Sequence, residues 1–587
     1  MNLSDVQRHR ITQKLGLTAR DDGTSFRGFI DDELVDGACD VMDASGVLEK
    51  TAEWHKEAHK GLGGRPAALG DQRDRLVLVL MLVLFMTKQS PQLSEITDIV
   101  NNRLSPKSRT RLGLGEDNKG VSRTALYHQI RRAWKRFASV CDPYPGPTHV
   151  RLERAEVEAF LKTLDPDDTR IKMLRMQLVM NMLLEATWQL LDEKTRKEWR
   201  GNIAMDSTCL PVWGRRGHNH EDQRPGDLLS PEFHAYWHFM HDDPKIWGYS
   251  LHIAVTVPDP YRASHHPVLA IAASMDTPNK RIGSHFTSLL ASVAEREHPA
   301  GYAIADRGIL GHAKPEDLNR PLIKLGYKPV MDYRSDQVGR QGSQRGAVYV
   351  AGMPHCPATP QTLVDAESHY DDTQVYETYR QRVSRREMFR FRKKDGDAWH
   401  CPASGPGATA ACPLKPDGPI KLGMPTLRDH VSIVGEPAAD ERPDCCKGGQ
   451  VSLPASGTNA EKLLQPVPYR SQKWEDLYDM RTLVEGFNGF IKDGANERLA
   501  ERTNRRVRGF ASNALVAVVG LVASNMRKIR AFNAQGRPAL MPPRKRPEKR
   551  GYTRPPAWTI YAKRKQQRRG ERRKGVAPPG EPAPAVA

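Results

Sequence analysis

The chain has 587 residues, with 89 Lys+Arg against 70 Asp+Glu, a formal net charge of +19 and a hydrophobic share of 39%. That length allows three or four domains of roughly 150 residues each, and the low apolar share argues against one compact globule. The positive excess fits a polyanionic partner, while eight cysteines in a chain this long exclude a disulfide framework and make a reducing cytosol the expected compartment.

Residues Met1–Arg10 are polar and no apolar stretch follows them, so no secretion signal is expected. The longest apolar run, Leu76–Met86, has 11 residues, short of the roughly 20 that span a bilayer, and reads as a buried helix. Ser90-Pro91 opens a second helix, about Gln92 to Leu104, with Ile96, Ile99 and Val100 inward. Ser122 is placed to cap a third, Arg123–Val140, which carries Arg131, Arg132, Lys135 and Arg136. Three helices ending in a basic one are similar to a helix-turn-helix unit, which makes those four cations candidate DNA contacts; an ordinary bundle with a solvated basic face is the plainer alternative.

Further amphipathic helices occupy 152–200, among them Met173–Leu191. After Gly201 the pattern changes to short β-rich runs at Ile203–Met205, Ser250–Val257 and Val268–Met275. A helix follows at His285–Glu297, then runs at Tyr302–Ala305 and Lys328–Tyr333. This alternation predicts an α/β sheet domain. From 335 to 472 the chain is irregular, rich in Gly and Pro, with strand candidates at Ala347–Ala351 and Met388–Arg392, and reads as an insertion. Helix resumes over Lys473–Gly494 and Ser512–Phe532. Met541–Ala587 holds 14 Lys+Arg against 3 Glu, a basic tail suited to nucleic acid, and its Pro-rich end has the composition of disorder. The expected domains are therefore 1–150, 151–200, 201–334, 335–472, 473–540 and 541–587.

Two aspartates follow apolar runs: Asp206 after Ile203–Met205, and Asp306 after Ala303–Ala305. A strand end projects a side chain into the crevice at the carboxyl edge of a sheet, although an Asp there is more often a turn former. The helix from Lys473 is more specific. At about 100° per residue, Tyr478, Arg481, Glu485 and Lys492 share an arc of about 60°. Met480, Leu483, Val484, Phe487, Phe490 and Ile491 fall toward the opposite side. Gly489 leaves the polar face open to a DNA backbone.

The spacing Tyr478-x2-Arg481-x3-Glu485-x6-Lys492, downstream of the two aspartates, resembles the Y-R-E-K signature of bacterial insertion-sequence DDE transposases. Asp306-Arg307-Gly308 is similar to the D-x-G around that group's second aspartate, and the resemblance covers about 201–532. It implies a ribonuclease-H-like catalytic core carrying a β-rich insertion between the second and third carboxylates, with helical DNA-binding residues before it. Asp206, Asp306 and Glu485 would be catalytic and would hold two divalent cations, Mg²⁺ with Mn²⁺ able to substitute. Tyr478, Arg481 and Lys492 would grip the transposon end. The implied partners are double-stranded DNA, as terminal inverted repeats and target, and a second copy in a synaptic homodimer. The implied location is the cytoplasm at the nucleoid, with no membrane. The alternative is a catalytically inactive, domesticated derivative that binds DNA alone.

Cys356, Cys401, Cys412, Cys445 and Cys446, with His355 and His400, fall inside the insertion. Their irregular spacing lacks the close pairs of most zinc sites, so unliganded thiols are favoured over a structural Zn²⁺. His218, His220, His234, His238 and His241 read as solvent-facing or DNA-proximal, and Trp399 as a packed tryptophan rather than a base-stacking one.

Overall fold

A computed structural model describes residues 3–15, 28–58, 72–114, 121–146, 148–214, 228–238, 246–262, 264–311, 313–367, 376–422, 431–433, 442–455 and 460–535. The basic tail and His218, His220 and His241 lie outside them. The fold is mixed α/β and divides into two compact units. The first takes the chain up to Ile304, Lys324–Tyr327 and the chain from Met480; the second takes Ala305–Ile323 and Lys328–Asp479.

The first unit begins with helices. Helix α1 (Gln72–Met86) contains the predicted apolar run, and Leu76–Phe85 are all buried. The second predicted helix starts at Leu93, as expected, with Gln92 as its cap. It ends in a π-type turn over Ile99–Arg103, with Ile96, Ile99 and Val100 buried. Helix α2 (Arg123–Ser139) begins as predicted, the Ser122 side chain accepting from the Ala125 N–H. Helix α3 (Pro166–Trp188) is capped by Asp165 with Pro at its first position, where a missing N–H costs nothing.

Five strands follow: β1 (Ile203–Pro211), β2 (Tyr236–His238), β3 (Ile246–Thr256), β4 (Ala270–Asp276) and β5 (Tyr302–Ala305). Helix α4 (Ile282–Glu295) lies between the last two. The order across the sheet is β2-β3-β1-β5, with β4 also paired to β3. β1 and β3 run antiparallel in unbroken register from Ile203↔Thr256 to Pro211↔Gly248. β4 is antiparallel to β3, with a bulge at Ala254/Val255. Backbone groups of β4 that no strand pairs are met by side chains. The Ala273 N–H donates to Asn181 Oδ1 at 2.8 Å, and the Asn525 amide both accepts from the Ala270 N–H and donates to its carbonyl.

Phe510–Gln535, a 26-residue helix, is long and apolar enough to cross a membrane, yet 89% of its most apolar window is buried inside the protein. It packs on α3 and β4, which makes it a core helix of this unit.

The second unit holds β6 (Lys328–Met331), then β7 (Arg340–Gln344), β8 (Ala347–Val350) and β9 (Met353–His355), the last three an antiparallel meander. Short strands follow: β10 (Arg392–Lys393), β11 (Ala398–His400), β12 (Ala410–Ala411), β13 (Val431–Ser432) and β14 (Gln450–Ser452). β10-β11-β14 form one sheet and β12-β13 a parallel pair. The strand expected over Met388–Arg392 is not formed. A helix, Tyr376–Glu387, precedes that stretch, the chain turns at Met388-Phe389, Arg390 makes a single antiparallel bridge to His355, and a strand begins only at Arg392. That helix is anchored by Arg386, whose guanidinium donates twice to Glu367 at 2.8 Å in a fully buried bidentate pair.

Candidate active site

Asp206 was expected at a strand end but lies within β1. Thr208, Cys209 and Leu210 continue the ladder opposite Leu251, Ser250 and Tyr249, so the strand does not stop at Met205. Asp206 faces Ile253 in the register and is half-buried. The next residue, Ser207, bonds through Oγ to His252 Nδ1 at 2.6 Å. His252 stacks on His285, with ring centroids 4.8 Å apart, and His285 Nε2 meets Asp276 Oδ2 at 2.7 Å. Burial, then the neighbouring His285, pushes His252 down to about 3, so it is neutral. Burial alone would raise the Asp276 carboxyl, but His285 and Arg281 outweigh it and hold it below its ordinary value. A buried polar chain therefore backs the strand that carries Asp206.

The predicted helix from Lys473 is interrupted. Helix α5 (Gln472–Tyr478) ends in a 3₁₀ turn over Asp479–Arg481, and helix α6 (Thr482–Lys492) follows. Three residues at about 120° rather than 100° shift the angular register by about 60°, which moves Arg481, Glu485 and Lys492 to about 0°, 40° and 20° from Tyr478, so angle alone does not separate Tyr478 from the other three. Tyr478 belongs to the second unit, where its ring stacks on Trp474 at 4.7 Å.

Helix α6 is amphipathic as expected. Val484, Phe487 and Ile491 are buried, while Glu485, Gly486 and Gly489 are exposed, and the helix packs on β1 and β3. Its fourth buried residue is Asn488. Asn488 Nδ2 donates to Asp206 Oδ2 at 2.8 Å, and its Oδ1 is buried without a hydrogen-bond partner. One turn earlier, Glu485 Oε1 accepts from Arg481 Nη1 at 2.6 Å. Burial holds the Lys492 ammonium below its ordinary value, against the pull of Cys209 and Asp206. Lys492 is thus electrostatically tied to the same strand.

Asn488 was missed from sequence, although a signal existed: it lies three residues after Glu485, about 60° from it on the helical wheel. The open surface at Gly486 and Gly489 has room for a side chain, since a Cβ at either position meets nothing within 4 Å.

Asp306 lies in the second unit, directly after β5 as expected. It is half-buried and its carbonyl accepts from the N–H groups of Ile309 and Leu310 at the start of a helical turn. Among the described residues no three His, Cys, Asp or Glu side chains are placed to hold a metal ion.

On α2, Leu126, Ile130, Ala133, Trp134 and Phe137 are buried. Arg132 and Lys135 are exposed, and Arg131 and Arg136 half-exposed. Arg73 lies close enough to Arg132 and Arg136 that, after burial, their charges depress its pKa, so the three form a cationic patch. His234 and His238 correct the solvent-facing expectation. His234 stacks on Tyr144 at 3.5 Å and burial pushes it down to about 3, while His238 bonds the Tyr249 carbonyl at 3.1 Å. Trp399 packs against the apolar cluster of the second unit, as expected.

Compared with known proteins, the chain matches no family model, no curated protein and no solved structure.

Proposed function

We propose that the chain is an insertion-sequence DNA transposase with a ribonuclease-H-like core. In this reading it binds element ends, cleaves a DNA strand and transfers it to a target, with Asp206, Asp306 and Glu485 as its catalytic carboxylates. The observation that carries the proposal is the 2.8 Å bond from Asn488 to Asp206, since it joins the helix bearing Glu485 to the strand bearing Asp206. The strand order supports the core assignment: β4, β3 and β1 form an antiparallel series, and after α4 the chain returns as β5 on the far side of β1.

The donor chemistry suits Mg²⁺, with Mn²⁺ able to replace it. Carboxylates are hard oxygen ligands, and the orphaned Asn488 Oδ1 next to Asp206 is an oxygen that a hydrated cation would satisfy. Asp206, Asp306 and Glu485 would hold the ions, which when bound lower the pKa of the attacking water or 3′-hydroxyl and stabilise the leaving oxygen.

The chain's own residues supply the rest. Glu485 is paired with Arg481 and must release it to act. Arg481 would then turn to a phosphate, on the same helical stretch as Lys492 and the open surface at Gly486 and Gly489 where a backbone can approach. The cationic face of α2, with Arg131, Arg132, Lys135 and Arg136, would hold flanking duplex. A homodimer would bring two element ends together.

The test is cleavage of an element-end duplex in Mg²⁺ by Asp206→Asn, Asp306→Asn and Glu485→Gln. Each should abolish cleavage and leave binding largely intact. Cleavage retained by any one removes that residue from the triad. A precleaved 3′-OH end that the wild-type protein never joins to a target would reduce the activity to that of a nuclease.

A further inference from the structure

Four separate stretches of the second unit bring five cysteines to one place. Cys356, Cys401, Cys412 and Cys445 belong to a single buried apolar cluster, and Cys446 packs against it. The spacing in sequence hides this, because the first and last are 90 positions apart.

The local backbone is the same at three of them. Each of Cys356, Cys401 and Cys412 is followed by proline and opens a tight turn. In those turns the cysteine carbonyl accepts from the N–H of Thr359 at 3.0 Å, Ser404 at 3.0 Å and Lys415 at 2.9 Å. Proline presets the first turn position and leaves the next N–H directed back toward the cysteine. On the helical turn Asp444–Lys447, Cys445 Sγ and Cys446 Sγ are 3.9 Å apart.

Cations surround the cluster. Lys415 Nζ donates to the Cys446 and Gly448 carbonyls, and Arg392 donates to the Cys401 carbonyl. The strands that meet here, β10 to β14, have only two or three residues each, too little regular structure to hold a core unaided.

We propose that Cys356, Cys401, Cys412 and Cys446 bind one structural Zn²⁺ as four thiolates, with Cys445 a buried neighbour. The four thiols lose four protons to solvent and form four Zn–S bonds, with no change of oxidation state. Among the described residues no three of these side chains surround a common point, so closing the site requires the cysteine side chains to rotate within their turns. The resulting charge of −2 is offset by Lys415 and Arg392. This inference is independent of the transposase reading, since no residue of the carboxylate site takes part.

The experiment uses the full-length chain, purified under reducing conditions without added metal. Metal analysis should find about one zinc per chain. Exchange for Co²⁺ should give the intense visible bands and near-ultraviolet thiolate-to-metal charge transfer of a tetrahedral thiolate site, a readout on wild-type protein that needs no variant. Cys445→Ser should keep the metal and the spectrum, and Cys401→Ser and Cys446→Ser should lose both. Protein that neither carries zinc nor takes up Zn²⁺ or Co²⁺ overturns the proposal, as does full retention by Cys401→Ser. A Cys446→Ser variant that keeps the metal while Cys445→Ser loses it overturns the choice of fourth ligand.

Discussion

Asn488 Nδ2 donates to Asp206 Oδ2 at 2.8 Å, tying helix α6 to strand β1 across 282 positions of sequence. The bond satisfies part of a half-buried carboxylate with a neutral donor. Asn488→Ala should cost roughly 1.5–3 kcal/mol of stability, the range for a hydrogen bond to a charged group. Asn488→Asp should cost more at neutral pH, because it sets a second carboxylate against the first. Denaturant titrations at pH 7 and pH 4 check this: the excess cost of the aspartate should shrink at the lower pH. An excess that does not change with pH removes charge repulsion as the cause.

The Arg481–Glu485 pair predicts a separation of stability from binding. Its side chains are 25% and 48% exposed and four residues apart on one helix, so water screens the attraction. Arg481→Ala should change stability by no more than about 0.5 kcal/mol. If Arg481 contacts phosphate, the same variant weakens binding to an element-end duplex and lowers the salt slope by about one unit. Salt-dependent binding isotherms of both proteins decide it, and parallel slopes exclude the phosphate contact.

Gly489 sits in the interior of α6, exposed, with room for a side chain. Nothing in the packing requires glycine there, and its backbone freedom destabilises the helix. Gly489→Ala should therefore stabilise the protein by roughly 0.5–1 kcal/mol. The proposed approach of a DNA backbone predicts the opposite sign for binding, since a methyl group would intrude. A variant that melts higher and binds DNA as well as the wild type shows that the glycine keeps no contact surface open.

Glu232 makes stability depend on pH. Burial raises its carboxyl to about 7, against the Gly509 N–H and Tyr249 hydroxyl that bond it. The folded state therefore holds its proton more tightly than the unfolded chain does. The favourable contribution is complete below the ordinary carboxyl value and is lost as pH rises through about 7. Its size is on the order of 3 kcal/mol. Glu232→Gln keeps an acceptor oxygen and abolishes the titration. It should flatten the fall in stability between pH 5 and pH 8, measured by urea midpoints; an unchanged fall assigns it to other groups.

Local patterns were legible where they depend on neighbours in sequence. The Ser122 cap, the apolar stripe of α2, the buried run in α1 and the strand Tyr302–Ala305 all follow from spacing and short-range hydrogen bonding. Periodicity failed where a segment changed character without a composition signal. The 3₁₀ turn at Asp479–Arg481 breaks a pattern that reads as continuous helix, and β1 runs past Asp206 because its partner β3 extends the ladder. The histidines misled because residue type alone does not report burial: His234 is held under Tyr144.

Spacing along the chain sufficed to bring Arg481, Glu485 and Lys492 onto one helical stretch, since helix geometry is a property of consecutive residues. It could not pair Asn488 with Asp206 or collect Cys356, Cys401, Cys412 and Cys446 from four segments. Such meetings come from packing between elements far apart in sequence, where burial and side-chain hydrogen bonds, rather than backbone periodicity, select the partners.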